Sequence, residues 1–275
     1  MQKQIFRLYP PPFAEVLLKG LYLTERLFEL GTPKRPFVYA NFLASLDGRI
    51  ALEDLQGQPY LPKSLTTPAD FRLFLELAAQ ADCLITHGGY LRALAAGRLG
   101  NILQLGAHPA GDDLVAWRLA QGLAPQPAIA VVSSSLDFSL PDSIRAHRQP
   151  LYLFTGESAD PERVEAWRRK GFPVIFAGPD QRVTGKCLIS LLGQLGYRSI
   201  YLVAGPAMLD TVVREGLLNR LYQTITHQLM GGEAFRTMVP GPELGPKGHL
   251  RLRALYYDPA GPGGAGQWFA QFDAQ

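Results

Sequence analysis

Arg35-Pro-Phe-Val-Tyr-Ala-Asn-Phe-Leu-Ala-Ser-Leu-Asp-Gly-Arg-Ile-Ala51 begins with a β-prone apolar run, Phe37 to Ala44, and stops at a compact polar cluster of Ser45, Asp47, Gly48 and Arg49. One amide, Asn41, sits in the middle of the run. An amide inside a buried strand finds a hydrogen-bond partner or costs about 1–3 kcal/mol. Polar groups at strand ends above a parallel sheet are where α/β proteins hold ligands. On residue types alone the stretch reads equally as a strand closed by an ordinary Asp-Gly turn.

Working outward, strand patterns at 37–44, 83–87, 128–132, 150–155, 173–176 and 199–203 alternate with helix patterns at 68–80, 112–121, 160–170, 185–195 and 206–215. Thr67-Pro68 and Asp160-Pro161 each place a capping residue before a proline at the first helical position. Gly171 and Gly196 stand where helix C-caps belong. This alternation predicts an α/β fold with a largely parallel sheet covered by helices. After Asn219 the pattern becomes β-rich (220–228, 249–257, 267–272), which predicts antiparallel strands added to one edge. Residues 1–33 read as an appendage: the spacing of Val16, Leu17, Leu21, Leu23, Leu27 and Leu30 predicts a helix over Phe13–Leu30, ended by Gly31-Thr32-Pro33.

Composition narrows the function. A hydrophobic fraction of 47% with 19% charged residues is that of a globular protein with ample core. The net charge of +3, without a basic run or aromatic–basic interleaving, argues against a nucleic-acid partner. Cys83 and Cys187 lie far apart in apolar surroundings and the histidines are scattered, so neither a disulfide framework nor a metal site is expected. With no signal-peptide pattern and no long apolar run, the expectation is a cytoplasmic protein with no membrane association.

Ile200-Tyr-Leu-Val-Ala-Gly-Pro-Ala-Met-Leu209 reads as a buried strand running through a glycine turn into a helix, whose free N–H groups form a phosphate-binding element. Val131-Val-Ser-Ser-Ser-Leu-Asp137 ends another strand in three hydroxyls, and Leu153-Phe-Thr-Gly156 a third in Thr155. The hydroxyls fit a ribose or its 2′-phosphate, or simply a polar turn. A Gly-x-Gly-x-x-Gly fingerprint is missing.

Two blocks together carry a family resemblance: Asn41-x-x-x-Ser45-x-Asp47-Gly-Arg-Ile-Ala51 after an apolar strand, and the late strand–glycine turn–helix followed by Gly216-Leu-Leu-Asn-Arg-Leu221 and Leu229-Met-Gly-Gly232. The chain resembles the reductase domain of the riboflavin-biosynthesis family, the C-terminal half of the bacterial bifunctional deaminase/reductase and its stand-alone archaeal and fungal relatives. The zinc deaminase signature, His-x-Glu with Pro-Cys-x-x-Cys, is absent. The resemblance covers about residues 36–232. It implies a dihydrofolate-reductase-like fold over residues 34–275, with 1–33 as an N-terminal helical extension, and commonly a homodimer. It also implies hydride transfer from NADPH to C1′ of a ribosylamino-pyrimidine phosphate, opening ribosyl to ribityl.

By the same resemblance Gly88, Gly89, Ser133, Ser134, Thr155, Gly205, Ala207 and Met208 are expected at the cofactor. Asn41, Ser45, Ser64, Thr66 and Arg72 are expected at the substrate, with Arg49, Lys63, Arg92 and Arg98 as further phosphate partners or simply surface charges. Asp47, the carboxylate of the opening motif, is expected to orient or protonate the sugar, or only to cap its turn. The chain departs from the family in reading Ala204-Gly205-Pro206 for Glu-Gly-Gly, Ala78 for a helix arginine, Asn41 for the bacterial strand lysine, and His87 and Tyr90 at the ends of Gly-x-x-Thr. His87 and Tyr90 are candidates to replace missing family groups. These departures leave open a reductase of another heterocycle, pterin- or folate-like, and a non-catalytic nucleotide-binding relative.

Overall fold

A computed structural model describes residues 2–275. In chain order the strands are β1 (Gln4–Tyr9), β2 (Ala14–Leu17), β3 (Phe37–Ser45), β4 (Ala51–Glu53), β5 (Pro59–Tyr60), β6 (Cys83–His87) and β7 (Ala128–Val132). They continue with β8 (Leu151–Thr155), β9 (Val174–Phe176), β10 (Ser199–Leu202), β11 (Arg220–Thr226), β12 (Phe235–Arg236), β13 (Leu250–Asp258) and β14 (Gln267–Ala274). The α-helices are α1 (Pro68–Ala79), α2 (Gly88–Ala95), α3 (Leu114–Ala120), α4 (Asp142–Ala146), α5 (Pro161–Arg169), α6 (Gly185–Gln194) and α7 (Pro206–Arg214).

An 11-stranded sheet runs β2-β1-β13-β14-β11-β3-β10-β6-β7-β8-β9. From β11 to β9 every pairing is parallel; β14, β13, β1 and β2 continue it antiparallel. A small antiparallel sheet, β12-β4-β5, stands apart. The mixed, mostly parallel α/β architecture with antiparallel C-terminal strands is therefore the one expected from the sequence.

β3 sits in the middle because it can be buried on both faces. Val38, Ala40 and Phe42 pack into one core with Ile200, Leu188 and Leu209, while Tyr39 belongs to a second core with Leu73 and Leu77 of α1. Successive residues of a strand point to opposite faces, so the two sets alternate. Asn219 clamps the start of the strand, its Oδ1 accepting from the Val38 N–H at 2.7 Å and its own N–H donating to the Val38 carbonyl. Helix starts follow the caps seen in the sequence: Thr67 accepts from the Asp70 N–H at 3.0 Å and Asp160 from the Glu162 N–H at 2.9 Å.

The N-terminal segment corrects the expectation of a helix over 13–30. Residues 4–17 form the hairpin β1–β2, and β1 pairs with β13; Leu23–Glu25 and Leu27–Glu29 are single 3-10 turns. Gly20 at φ +86° and Arg26 at φ +50° break any continuous helix. Leu18, Tyr22 and Leu27 are buried nonetheless, which explains the apolar spacing. Side chains of α1 supply the missing backbone partners. Glu76 accepts from the N–H groups of Gly20 (2.6 Å) and Tyr22 (3.0 Å), and Gln80 accepts from Leu27 N–H and donates to the Tyr22 carbonyl.

Arg72 completes this latch and so contradicts its assignment to substrate phosphate. Its guanidinium donates to Glu76 at 2.7 Å, to Asp113 at 2.6 Å and to the Ala110 carbonyl, on the side of α1 that meets the N-terminal segment. Removing one partner of a buried ion pair strands the other and costs about 3–5 kcal/mol. Glu76→Ala is expected to lower unfolding stability by about that amount, read as a falling urea midpoint; a change below about 1 kcal/mol would show that the latch is dispensable.

Candidate functional site

The parallel strands β6, β7 and β10 end at a cleft of about 980 Å³. His87, Ser133, Ser134 and the Ala204–Met208 turn form its floor, Arg182 from the loop before α6 stands at one side, and Phe235–Thr237 form the opposite wall. The topology explains the position: each of these strands leads directly into a loop or helix at the same edge of the sheet.

Of the residues expected at a cofactor, Ser133, Ser134, Gly205, Ala207 and Met208 line this cleft. The Met208 N–H is turned back to the Gly205 carbonyl at 3.1 Å, so the donor left to the first turn of α7 is the Ala207 N–H. Gly88 and Gly89 act from behind. A Cβ on Gly88 would come within 2.9 Å of Ser133 Oγ, and one on Gly89 within 2.9 Å of His87 Nδ1; the pair leaves room for the two side chains that border the cleft. Thr155 is fully buried at the end of β8 and does not line it.

His87 caps α2, its Nδ1 accepting from the Tyr90 N–H at 3.3 Å. The neutral ring therefore carries its proton on Nε2, the nitrogen that lies 3.6 Å from where a Cβ on Gly205 would stand. Burial, with Arg92 nearby, pushes its pKa down, so the group at the cleft is a neutral N–H donor. Tyr90 does not share the cleft: its hydroxyl donates to the Gly100 carbonyl and accepts from the Ile102 N–H.

The opening motif serves a different part of the site than expected. Asp47 accepts from Ser45 Oγ, from Arg49 Nη1 at 2.5 Å, and from the Met230 and Gly231 N–H groups at 3.2 and 3.0 Å. The Ser45 hydrogen bond foremost, then the two backbone donors and Arg49, holds its carboxyl down at about 2. A carboxylate so committed is no proton donor near neutrality, which corrects the protonating role. Arg49 in turn lies 4.2 Å over the Phe235 ring. Ser45, Asp47 and Arg49 thus tie the end of β3 to residues 230–235, whose continuation is the cleft wall. Ser64 and Thr66 are exposed and do not line the cleft; the Ser64 carbonyl accepts from Gln228 Nε2 and the Thr66 hydroxyl donates to the Lys63 carbonyl.

On the opposite, α1 face of the sheet lies a second polar group. Strand parity puts Asn41 with Tyr39, Thr86 with Leu84 and Thr224 with Tyr222, all on the side of Tyr201 and α1. Asp70, in the first turn of α1, is buried there.

Comparisons with known proteins agree with this frame. The RibD C-terminal domain family matches residues 36–261. A curated relative from Methanothermobacter thermautotrophicus, the 2,5-diamino-6-ribosylamino-4(3H)-pyrimidinone 5′-phosphate reductase, is 26% identical over 207 residues, 75% of this chain and 85% of that one. Among solved structures, a pyrimidine reductase-like protein from Corynebacterium diphtheriae superposes with a TM-score of 0.63 at 16% identity, covering 87% of this chain and 92% of that one. The riboflavin biosynthesis reductase of Saccharomyces cerevisiae superposes at 0.60 with 14% identity, covering 93% and 99%.

The depressed Asp47 carboxyl has a consequence for stability. Its folded-state pKa, about 2, lies below the ordinary value near 4, so the unfolded chain binds the proton first and this contribution is complete above pH 4 and lost as pH falls toward 2. Asp47→Asn is expected to flatten the acid limb of a stability–pH curve between about pH 2 and 4 and to loosen the cleft wall. An unchanged acid limb would remove the assignment.

Proposed function

Because the chain belongs to the RibD C-terminal domain family, we propose that it is an NADPH-dependent reductase acting on a ribosylamino-pyrimidine phosphate of riboflavin biosynthesis, converting the ribosyl group to ribityl. The observation that carries this reading is the cleft itself. At about 980 Å³ it stands at the upper end of the range for small-ligand sites, enough for a dinucleotide, and its floor combines hydroxyls, a glycine turn and a helix start.

The residues present fit NADPH. Ser133 and Ser134 offer hydroxyls to a ribose phosphate, the Ala207 N–H and the first turn of α7 face an anion, and Arg182 makes no ion pair among the described residues that would compete with a phosphate. When bound, NADPH supplies a hydride to C1′ of the sugar. His87 Nε2–H and the Gly205 turn would hold the cofactor, and the wall anchored through Asp47 and Arg49 would exclude water from one side. Asn41 and Ser45, on the α1 face of β3 by strand parity, would approach the substrate in this reading.

The reading extends to a cytoplasmic homodimer. Among the described residues no helix is long and apolar enough to cross a membrane. The β1–β2 hairpin leaves Phe13 66% and Leu17 46% exposed, apolar surface that a second subunit would cover.

Titration with NADPH and NADH, followed by nicotinamide fluorescence, tests the reading. Saturable binding with NADPH clearly tighter is expected; binding of neither would overturn it. Arg182→Ala is expected to weaken NADPH about 10- to 100-fold while leaving NADH unchanged, the range for losing a hydrogen bond to a charged group. Equal loss for both cofactors would show that Arg182 does not read the 2′-phosphate.

A further inference from the structure

Away from the cleft, at the other end of the parallel strands, lies a second cavity, a groove of about 920 Å³. It is bounded by the turn before β3, by one face of α6 and by the segment 216–219 that joins α7 to β11. Phe37, on its rim, is in register with Ser199 at the start of β10, whereas the cleft floor begins at Ala204, beyond the end of that strand. The extended chain from Ser199 to Ala204 spans about 17 Å at roughly 3.3 Å per residue. No residue lines both cavities.

The walls of the groove are held by backbone contacts. Thr32 and Arg35 exchange two N–H···O=C bonds, each at 3.0 Å, and the Thr32 hydroxyl also accepts from the Arg35 N–H at 3.2 Å. The turn is pressed against its neighbours: a Cβ on Gly31 would collide with the Arg198 carbonyl, and one on Gly193 of α6 with the Pro33 carbonyl. Lys34 and Arg35 are thereby carried at a fixed place. On α6, Lys186, Ser190 and Gly193 follow helical spacing down the face that lines the groove. Ile189, only 5% exposed, and half-buried Leu217 and Pro36 give it an apolar floor.

Its charge is one-sided. Lys34, Arg35 and Lys186 line the groove and make no ion pair among the described residues, whereas Arg26 and Arg198, which flank the turn, hold Glu29 and Asp82. No carboxylate lines it. Glu215, just before the lining residue Gly216, is committed to the start of α6, accepting from the Gly185 and Lys186 N–H groups at 3.0 and 2.6 Å. Asn219 adds an oriented donor. Its Oδ1 is taken by the Val38 N–H at 2.7 Å, which leaves Nδ2 as the free end of the carboxamide.

Three cations and an amide donor around an apolar floor, with no competing acid, are the complement of a small dianion that carries an apolar body. A phosphate monoester has close to two negative charges near neutrality and three acceptor oxygens for ammonium, guanidinium and amide donors. A carboxylate offers one charge and two oxygens. We propose that this groove is a second ligand site, binding a phosphate monoester of an aromatic or other apolar body. Lys34, Arg35, Lys186 and Asn219 Nδ2 hold the phosphate, and the body lies on Ile189, Leu217 and Pro36, where covering apolar surface adds to the affinity. The site is separate from the cleft and does not depend on the reductase reading.

The probe is 4-bromophenyl phosphate. Titrated calorimetrically into the full chain, it is expected to bind one-to-one and to saturate below about 1 mM. Crystals soaked in it are expected to show the bromine anomalous peak beside Ile189 and Leu217. Inorganic phosphate and 4-bromophenol, the two halves of the probe, are expected to bind at least about 10-fold more weakly. Lys186→Ala and Arg35→Ala, at exposed positions, are expected to weaken the probe about 3- to 10-fold each, the range for charged contacts open to solvent, with the thermal midpoint unmoved. Asn219→Asp keeps the acceptor that Val38 needs while placing a carboxylate in the groove, and is expected to abolish saturable binding. Arg182→Ala, in the cleft, is expected to leave the titration unchanged. No saturation below that limit overturns the proposal, even with a peak in the soaked crystal, which would then be binding at crystal concentration only. A bromine peak in the cleft, or weakening by Arg182→Ala as great as by Lys186→Ala, also overturns it. Inorganic phosphate binding as tightly as the probe would mark an adventitious ion only, and 4-bromophenol binding as tightly would mark a site that does not read the phosphate; either result overturns it as well.

Discussion

Strand β3 is hydrogen-bonded in parallel along both edges, to β10 and β11, and covered on both faces, by α1 on one side and by the core of α6 and α7 on the other. A strand so enclosed has no place along its length for charge. Its ionic chemistry is pushed to its C-terminal end, where Ser45, Asp47 and Arg49 leave the sheet. The neighbouring strands obey the same constraint, so Ser133, the Gly205 turn and His87 gather at one edge from three separate parts of the chain. The sheet acts as a partition, with the cleft on one side of its crest and helix α1 on the other.

The buried strands were legible because each is a short, continuous apolar run that can be covered on both faces, as in Cys83–His87 and Ala128–Val132. Helix starts were legible where the cap is local in sequence, as at Thr67 and Asp160. Local signals misled where tertiary contacts decide the structure. The apolar spacing of residues 13–30 suits a helix, yet Glu76 and Gln80, far along the chain, hold that backbone in single turns. α2 was missed because it opens on Gly88-Gly89, poor helix formers retained for close approach to Ser133 and His87.

The candidate site was legible in outline and misread in its charges. Ser133, Ser134, Gly205 and Ala207 sit at the cleft because a strand end followed by a turn carries its own position in sequence. A charged side chain does not reveal its partner. Asp47 in the motif gives no hint that Met230 and Gly231 donate to it, nor Arg72 that Asp113 lies across from it.

The grip of Glu76 and Gln80 on the backbone of residues 20–27 also governs motion. Sliding α1 past that segment would strip partners from buried backbone groups at about 1–3 kcal/mol each, and would part Arg72 from Asp113 as well. Helix α1 and residues 20–27 are therefore tied to each other through buried backbone groups. Any adjustment at the first turn of α1 has to come from the turn itself or from side-chain rotation.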